Sequence, residues 1–209
     1  SSIGIRECFE LIHRAFEIAI RGNAGTNSEA NGHIFYHIHN PKPYELGHFL
    51  KHYPQANLLY IMRNPVQSME SWIWDKSANT KDKIVDLNPR WRDIVEKIAT
   101  MFALMHSPFN AQGCSRGVRL EDVKRNAEEV MPCIAEWMGV SDHPAFYESS
   151  FCGLQYWGPE SGNTDRISGF DTKAIDHPVG RFLGSRDVLI LETLFWPLSS
   201  LYGYTELDS

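Results

Sequence analysis

The chain has 209 residues, a formal net charge of -6 and 43% hydrophobic residues, enough to bury one sizeable core. Its 20 Lys and Arg form no basic block, which argues against a protein that wraps nucleic acid or lies on an anionic membrane. A small anion gripped by a few placed cations remains compatible with that charge. Cys8, Cys114, Cys133 and Cys152 are scattered with no C-x-x-C pair, against a zinc site and a dense disulfide framework. No run approaches the ~18 apolar residues of a membrane span, and the N-terminal stretch carries charge too early for a signal peptide.

In chain order, residues 5 to 21 place Ile5, Phe9, Ile12, Phe16 and Ile20 in a helical stripe that ends at Gly22. "GNAGTNSEANG", residues 22 to 32, is small and polar without a period and predicts a loop. "HIFYHIHNP", 33 to 41, predicts a strand closed by Asn40-Pro41, with His33, Phe35, His37 and His39 on one face. "YELGHFLKHY" predicts a short helix, and "NLLYIM", continuously apolar over residues 57 to 62, predicts a buried strand.

Asn64 followed by Pro65 signals a helix start, since proline lacks only an N–H that would be unpaired there, and the helix is expected to reach about Asp75. Residues 88 to 106 carry Trp91, Ile98 and Met105 on one apolar face, a further helix. "SRGVRL" predicts a strand and "AEEVMPCIAEWMG" a helix stopped by Gly139, with Pro132 implying a kink or a late start. Residues 149 to 184, rich in Gly, Pro, Ser and Asp, predict a long loop region. The closing helix is expected from Ser185, as its cap, and contains Pro197. Helices alternating with buried strands predict one α/β domain over residues 1 to 209, built on a parallel sheet flanked by helices, with a helix and variable loop at 1 to 30.

In such a sheet ligands bind at the carboxyl ends of strands, beside the helix starts that follow. Arg63 stands at such an end, and Ser71 follows eight positions later, about two turns into the next helix. An anion there gains a guanidinium, a hydroxyl and the helix dipole. An arginine beside a helix start serves equally well in an ordinary salt bridge, so the motif needs a second one.

The second is "GVRLEDVKRNAEEVMPCIAEWMGV", residues 117 to 140. Together with "YIMRNPVQSMES" it resembles the sulfotransferase family. There a strand ends in Arg-Asn/Asp-Pro, a serine follows eight residues on, and a later "YEDL"-type strand end leads to a helix closing on "FLG". The matching residues are Arg63, Asn64, Pro65 and Ser71, then Leu120-Glu121-Asp122-Val123, then Trp137-Met138-Gly139. The likeness spans roughly residues 34 to 204, and each motif is weaker alone than the ordered pair.

The resemblance implies a P-loop NTPase-like sulfotransferase fold with 3′-phosphoadenosine 5′-phosphosulfate as donor and 3′-phosphoadenosine 5′-phosphate as product. Arg63 and Ser71 would hold the 3′-phosphate, and no metal is implied. Leu120 departs from the aromatic residue of many members, which puts an adenine contact there in doubt. The family's "K-x-H-x-P" stretch resembles His37-Ile38-His39-Asn40-Pro41, which makes His39 the base, with His37 in place of the lysine. A group titrating near neutrality suits proton removal from an acceptor hydroxyl. Many relatives use a carboxylate instead. Gly180-Arg181-Phe182 resembles a glycine-arginine-aromatic stretch before the final helix, so Arg181 is a second nucleotide cation, with Arg166 as its rival.

The family's Pro-Lys/Arg-Ser-Gly-Thr-type loop, which binds the 5′-phosphosulfate, has no counterpart in the chain. "RGNAGTN" follows a helix rather than a strand and lacks the basic residue. The expected fold is therefore incomplete at its N-terminal side, and the chain by itself an incomplete catalyst. The alternatives are a non-catalytic sulfotransferase-like module that binds nucleotide or protein, and another α/β phosphate-binding enzyme such as a nucleotide kinase. The absence of G-x-x-x-x-G-K-[ST] counts against the kinase. A small-molecule or carbohydrate hydroxyl or amine is the expected acceptor. The expected location is cytoplasmic, with a Golgi-lumen domain of a longer protein as the other option.

Overall fold

The computed structural model describes residues 3–21, 33–38, 43–77, 91–105, 114–148, 150–151, 154–155, 169–173, 175–181 and 183–204. His39, Arg166, Cys152 and the polar stretch 22–32 lie outside the described residues. The chain divides into two compact units, Ser1–Pro54 and Gln55–Ser209.

In the first unit, α1 (Ile5–Arg21) and α2 (Pro43–His52) form where apolar spacing predicts them. Phe9 of α1 gathers His13, Tyr36, Phe49 and Tyr53 into an aromatic cluster with ring centroids 4.2 to 6.1 Å from its own. Elsewhere in the predicted stripe Ile5 and Ile12 are exposed. The strand expected over 33–41 does not form at its described residues. His33 to Ile38 carry no strand, because alternation alone makes no strand without a neighbour to take its N–H and C=O groups.

The second unit holds the sheet. β1 (Leu58–Met62) and β2 (Ser115–Arg119) pair in parallel, from Leu58 opposite Ser115 to Met62 opposite Arg119. A parallel pair needs a crossover connection, and this one contains α3 (Pro65–Ser77) and α4 (Trp91–Met105). The α/β character is therefore present, as a two-stranded parallel sheet among the described residues. β1 is half-buried rather than buried, and Ile61 is 56% exposed.

Helix α5 (Leu120–Arg125) starts at Leu120, one residue earlier than a strand through Leu120 allows. Helix α6 (Ala127–Met138) begins at Ala127 and runs through Pro132, so the late start is not taken. It stops at Gly139, whose φ of 71° is the left-handed cap that glycine adopts without strain. A 3-10 turn (Pro144–Tyr147) and a short hairpin of β3 (Ser150–Phe151) and β4 (Leu154–Gln155) follow. Helix α7 (Ser185–Leu201) includes Ser185 as its first residue, and Gly184 takes the cap position expected for Ser185.

The core of this unit joins Val66, Met69 and Ile73 of α3 to Met101 of α4 and to Phe195 and Leu198 of α7. Val179 and Leu183, from the loop before α7, pack against the same cluster. Among the described residues no helix is long and apolar enough to cross a membrane.

Candidate anion site on helix α3

The junction after β1 is built as the sequence suggests. Asn64 caps α3: its Oδ1 accepts from Gln67 N at 3.0 Å and its carbonyl from Ser68 N at 2.8 Å. The N–H of Asn64 donates to Glu121 Oε1 at 2.9 Å, tying the end of β1 to the start of α5. Glu121 Oε2 lies 2.7 Å from the hydroxyl of Tyr204, which is also 3.1 Å from Met62 O. Burial, and after it the hydrogen bond to Glu121, pushes the Tyr204 hydroxyl far above its ordinary range. Asp122, the next acid, takes Arg119 in a two-pronged pair at 2.7 and 2.9 Å. The Leu-Glu-Asp-Val stretch thus closes the strand ends together.

Arg63 and Ser71 are both half-buried. Arg63 Nε donates to Gln67 Oε1 at 2.8 Å, so its side chain runs along the first turn of α3 in the direction of Ser71. Gln67, Glu70 and Ser71 are spaced i, i+3 and i+4 and share one face of the helix. That face is covered by residues 175–181 and 183. Gln67 Nε2 donates to Ile175 O at 3.1 Å and to His177 O, while Glu70 accepts from Gly180 N at 3.1 Å and Leu183 N at 3.3 Å. From α5, Lys124 donates to Asp171 O, and Arg125 pairs with Asp176 at 2.8 Å.

The result is a meeting of two residues 110 apart in sequence: Arg181 Nη2 lies 3.4 Å from Ser71 Oγ. The contact is at the outer edge of hydrogen-bonding range, and the guanidinium carries five donors on an exposed residue. The fold therefore brings Arg181 to Ser71 on the helix that begins beside Arg63. Sequence reading missed Gln67 and Glu70. Their signal was two polar residues at i and i+3, each directly after a buried apolar residue, Val66 and Met69.

A cleft of about 580 Å³ lies elsewhere. It follows β2 and the end of α7, lined by Tyr60, Arg116, Gly117, Tyr202 and their neighbours, and Arg63, Ser71 and Arg181 do not line it. Among the described residues the buried Tyr60 hydroxyl has no hydrogen-bond partner. A Cβ on Gly117 would fall 2.6 Å from the Tyr202 ring, so only glycine lets that ring lie on the strand. The α3 face, with Arg181 beside Ser71 and Arg63 on Gln67, is the candidate anion site; in the cleft Arg119 pairs with Asp122 and Arg116 lies over the Trp137 ring.

No family model matches the chain, and neither a curated protein nor a solved structure is found to be similar to it.

Proposed function

We propose that the chain is a sulfotransferase-like domain that binds a 3′-phosphoadenosine nucleotide through Arg63, Ser71 and Arg181. On this reading the donor is 3′-phosphoadenosine 5′-phosphosulfate and the acceptor a hydroxyl or amine of a small molecule or carbohydrate. The observation that carries the reading is the 3.4 Å approach of Arg181 to Ser71, since the second nucleotide cation meets a residue assigned to the 3′-phosphate on one helix.

In the proposed reaction the acceptor oxygen attacks sulfur in line, and a new O–S bond forms. The bond between sulfur and the bridging phosphate oxygen breaks, and its electron pair leaves with 3′-phosphoadenosine 5′-phosphate. His39 takes the acceptor proton. Positioning and charge stabilisation would dominate, as in phosphoryl transfer. A nucleotide-binding module without turnover is the second reading, favoured by the lack of a phosphosulfate loop within residues 1 to 209.

Thermal melting tests the binding claim common to both. At ~100 times its dissociation constant, 3′-phosphoadenosine 5′-phosphate stabilises by ~2.7 kcal/mol, and adenosine 5′-phosphate at the same concentration by much less. Equal shifts from the two nucleotides would remove the assigned roles of Arg63, Ser71 and Arg181. Transfer of labelled sulfuryl groups to hydroxyl acceptors, lost in His39→Ala with affinity kept, separates the enzyme from the module.

A further inference from the structure

We infer that Glu70, with Gln67 and Gly180, is a positioning device that delivers Arg181 to the 3′-phosphate. This rests on the reading of Arg63, Ser71 and Arg181 as anion ligands. Glu70 is 0% exposed, and a carboxylate that deep needs partners that justify its burial. Among them are the N–H groups of Gly180 and Leu183, which flank Arg181 on either side in sequence. Gly180 has φ 84°, a left-handed conformation that turns the chain between those anchors, and Val179 and Leu183 also pack on the core.

Gln67, 5% exposed, connects the other half of the site. Its Oε1 accepts from Arg63 while its Nε2 holds the carbonyls of Ile175 and His177. One amide thus orients the strand-end arginine and fastens the loop that carries the second one. An amide suits this position because it both accepts and donates; a carboxylate would keep Arg63 and release the loop. Each cation is held on the same face of α3 by a different buried side chain, so the two are set relative to each other before any ligand arrives. Such preorganisation favours an anion that reaches both cations.

A double-mutant cycle on the 209-residue chain, read by calorimetry with 3′-phosphoadenosine 5′-phosphate and adenosine 5′-phosphate, tests the inference. Glu70→Gln keeps the shape but replaces one acceptor by a donor facing a backbone N–H. Arg181→Ala is expected to weaken the bisphosphate on the order of tenfold, as expected for a lost charge-assisted bond. Glu70→Gln should weaken it by a similar factor, leave adenosine 5′-phosphate unchanged, and cost nothing more when added to Arg181→Ala. Should Glu70→Gln not fold, Gly180→Ala replaces it. Among the described residues its Cβ meets only Leu183 O, at an ordinary 3.9 Å, and the φ of +84° adds backbone strain beside Arg181.

Losses that add in the double variant, or that fall equally on both nucleotides, would mean that Glu70 merely supports the fold, and would overturn the inference with the site intact. A wild-type chain that does not distinguish the nucleotides would remove the site itself. That failure is visible before any substitution is made.

Discussion

Helices α1 and α3 treat their side chains in opposite ways. Helix α1 has the clearer apolar stripe, yet leaves Phe16 54% exposed, whereas α3 buries Val66 and Met69 and, beside them, Gln67 and Glu70. Periodicity says that a helix forms; it does not say what covers each face. An exposed apolar face costs a chain little structure to keep. A buried carboxylate requires donors brought from elsewhere, and on α3 these come from a segment about 110 residues later that also carries Arg181. The helix with the weaker pattern is the one constrained as a site.

The contrast is sharpest in the effect of truncating an apolar side chain. Phe195→Ala, at a fully buried position against α3, is expected to cost about 3–5 kcal/mol in urea unfolding. Ile12→Ala on α1, 61% exposed, should stay within about 0.5 kcal/mol, as surface substitutions do. Comparable losses would show that the α1 face is covered and would break the comparison.

A smaller effect belongs to the clamp that joins the strand ends. Tyr204→Phe should cost about 0.5–1.5 kcal/mol at neutral pH, the usual worth of a hydrogen bond. The pH dependence has a definite sign. The folded chain holds the Tyr204 proton more tightly than the unfolded chain, whose hydroxyl ionises near the ordinary value of 10.0, chiefly because the ring is buried. Its contribution is therefore complete below that pH and is lost as pH rises above it. Wild type should lose stability more steeply than Tyr204→Phe in alkaline melts, and parallel curves would show that Tyr204 is not buried in its neutral form.

Much of α3 was legible in the sequence, because its start signals are local: Asn64 supplies the cap and Pro65 needs no donor. Arg63 and Ser71 were legible for the same reason, as a strand end and a helix position. Gln67 and Glu70 were not, since their partners lie in a Gly- and Pro-rich segment whose path no periodicity encodes. The histidine-bearing stretch at 33–38 fails in the opposite direction. Its alternation is real, but a strand exists only with a neighbour, and alternation names none. The shift of the α7 cap from Ser185 to Gly184 is a one-residue matter, because glycine also reaches the extended cap conformation at φ -68° and ψ 157°.

Hydrogen exchange with and without 3′-phosphoadenosine 5′-phosphate tests the central claim, that the anion site is the α3 face and the loop over it. The expected result is slower exchange at the start of α3 and at residues 175 to 183, with α1 unchanged. Protection along β2 and residues 201 to 203 instead would move the ligand to the 580 Å³ cleft and contradict the assignment of Arg63, Ser71 and Arg181.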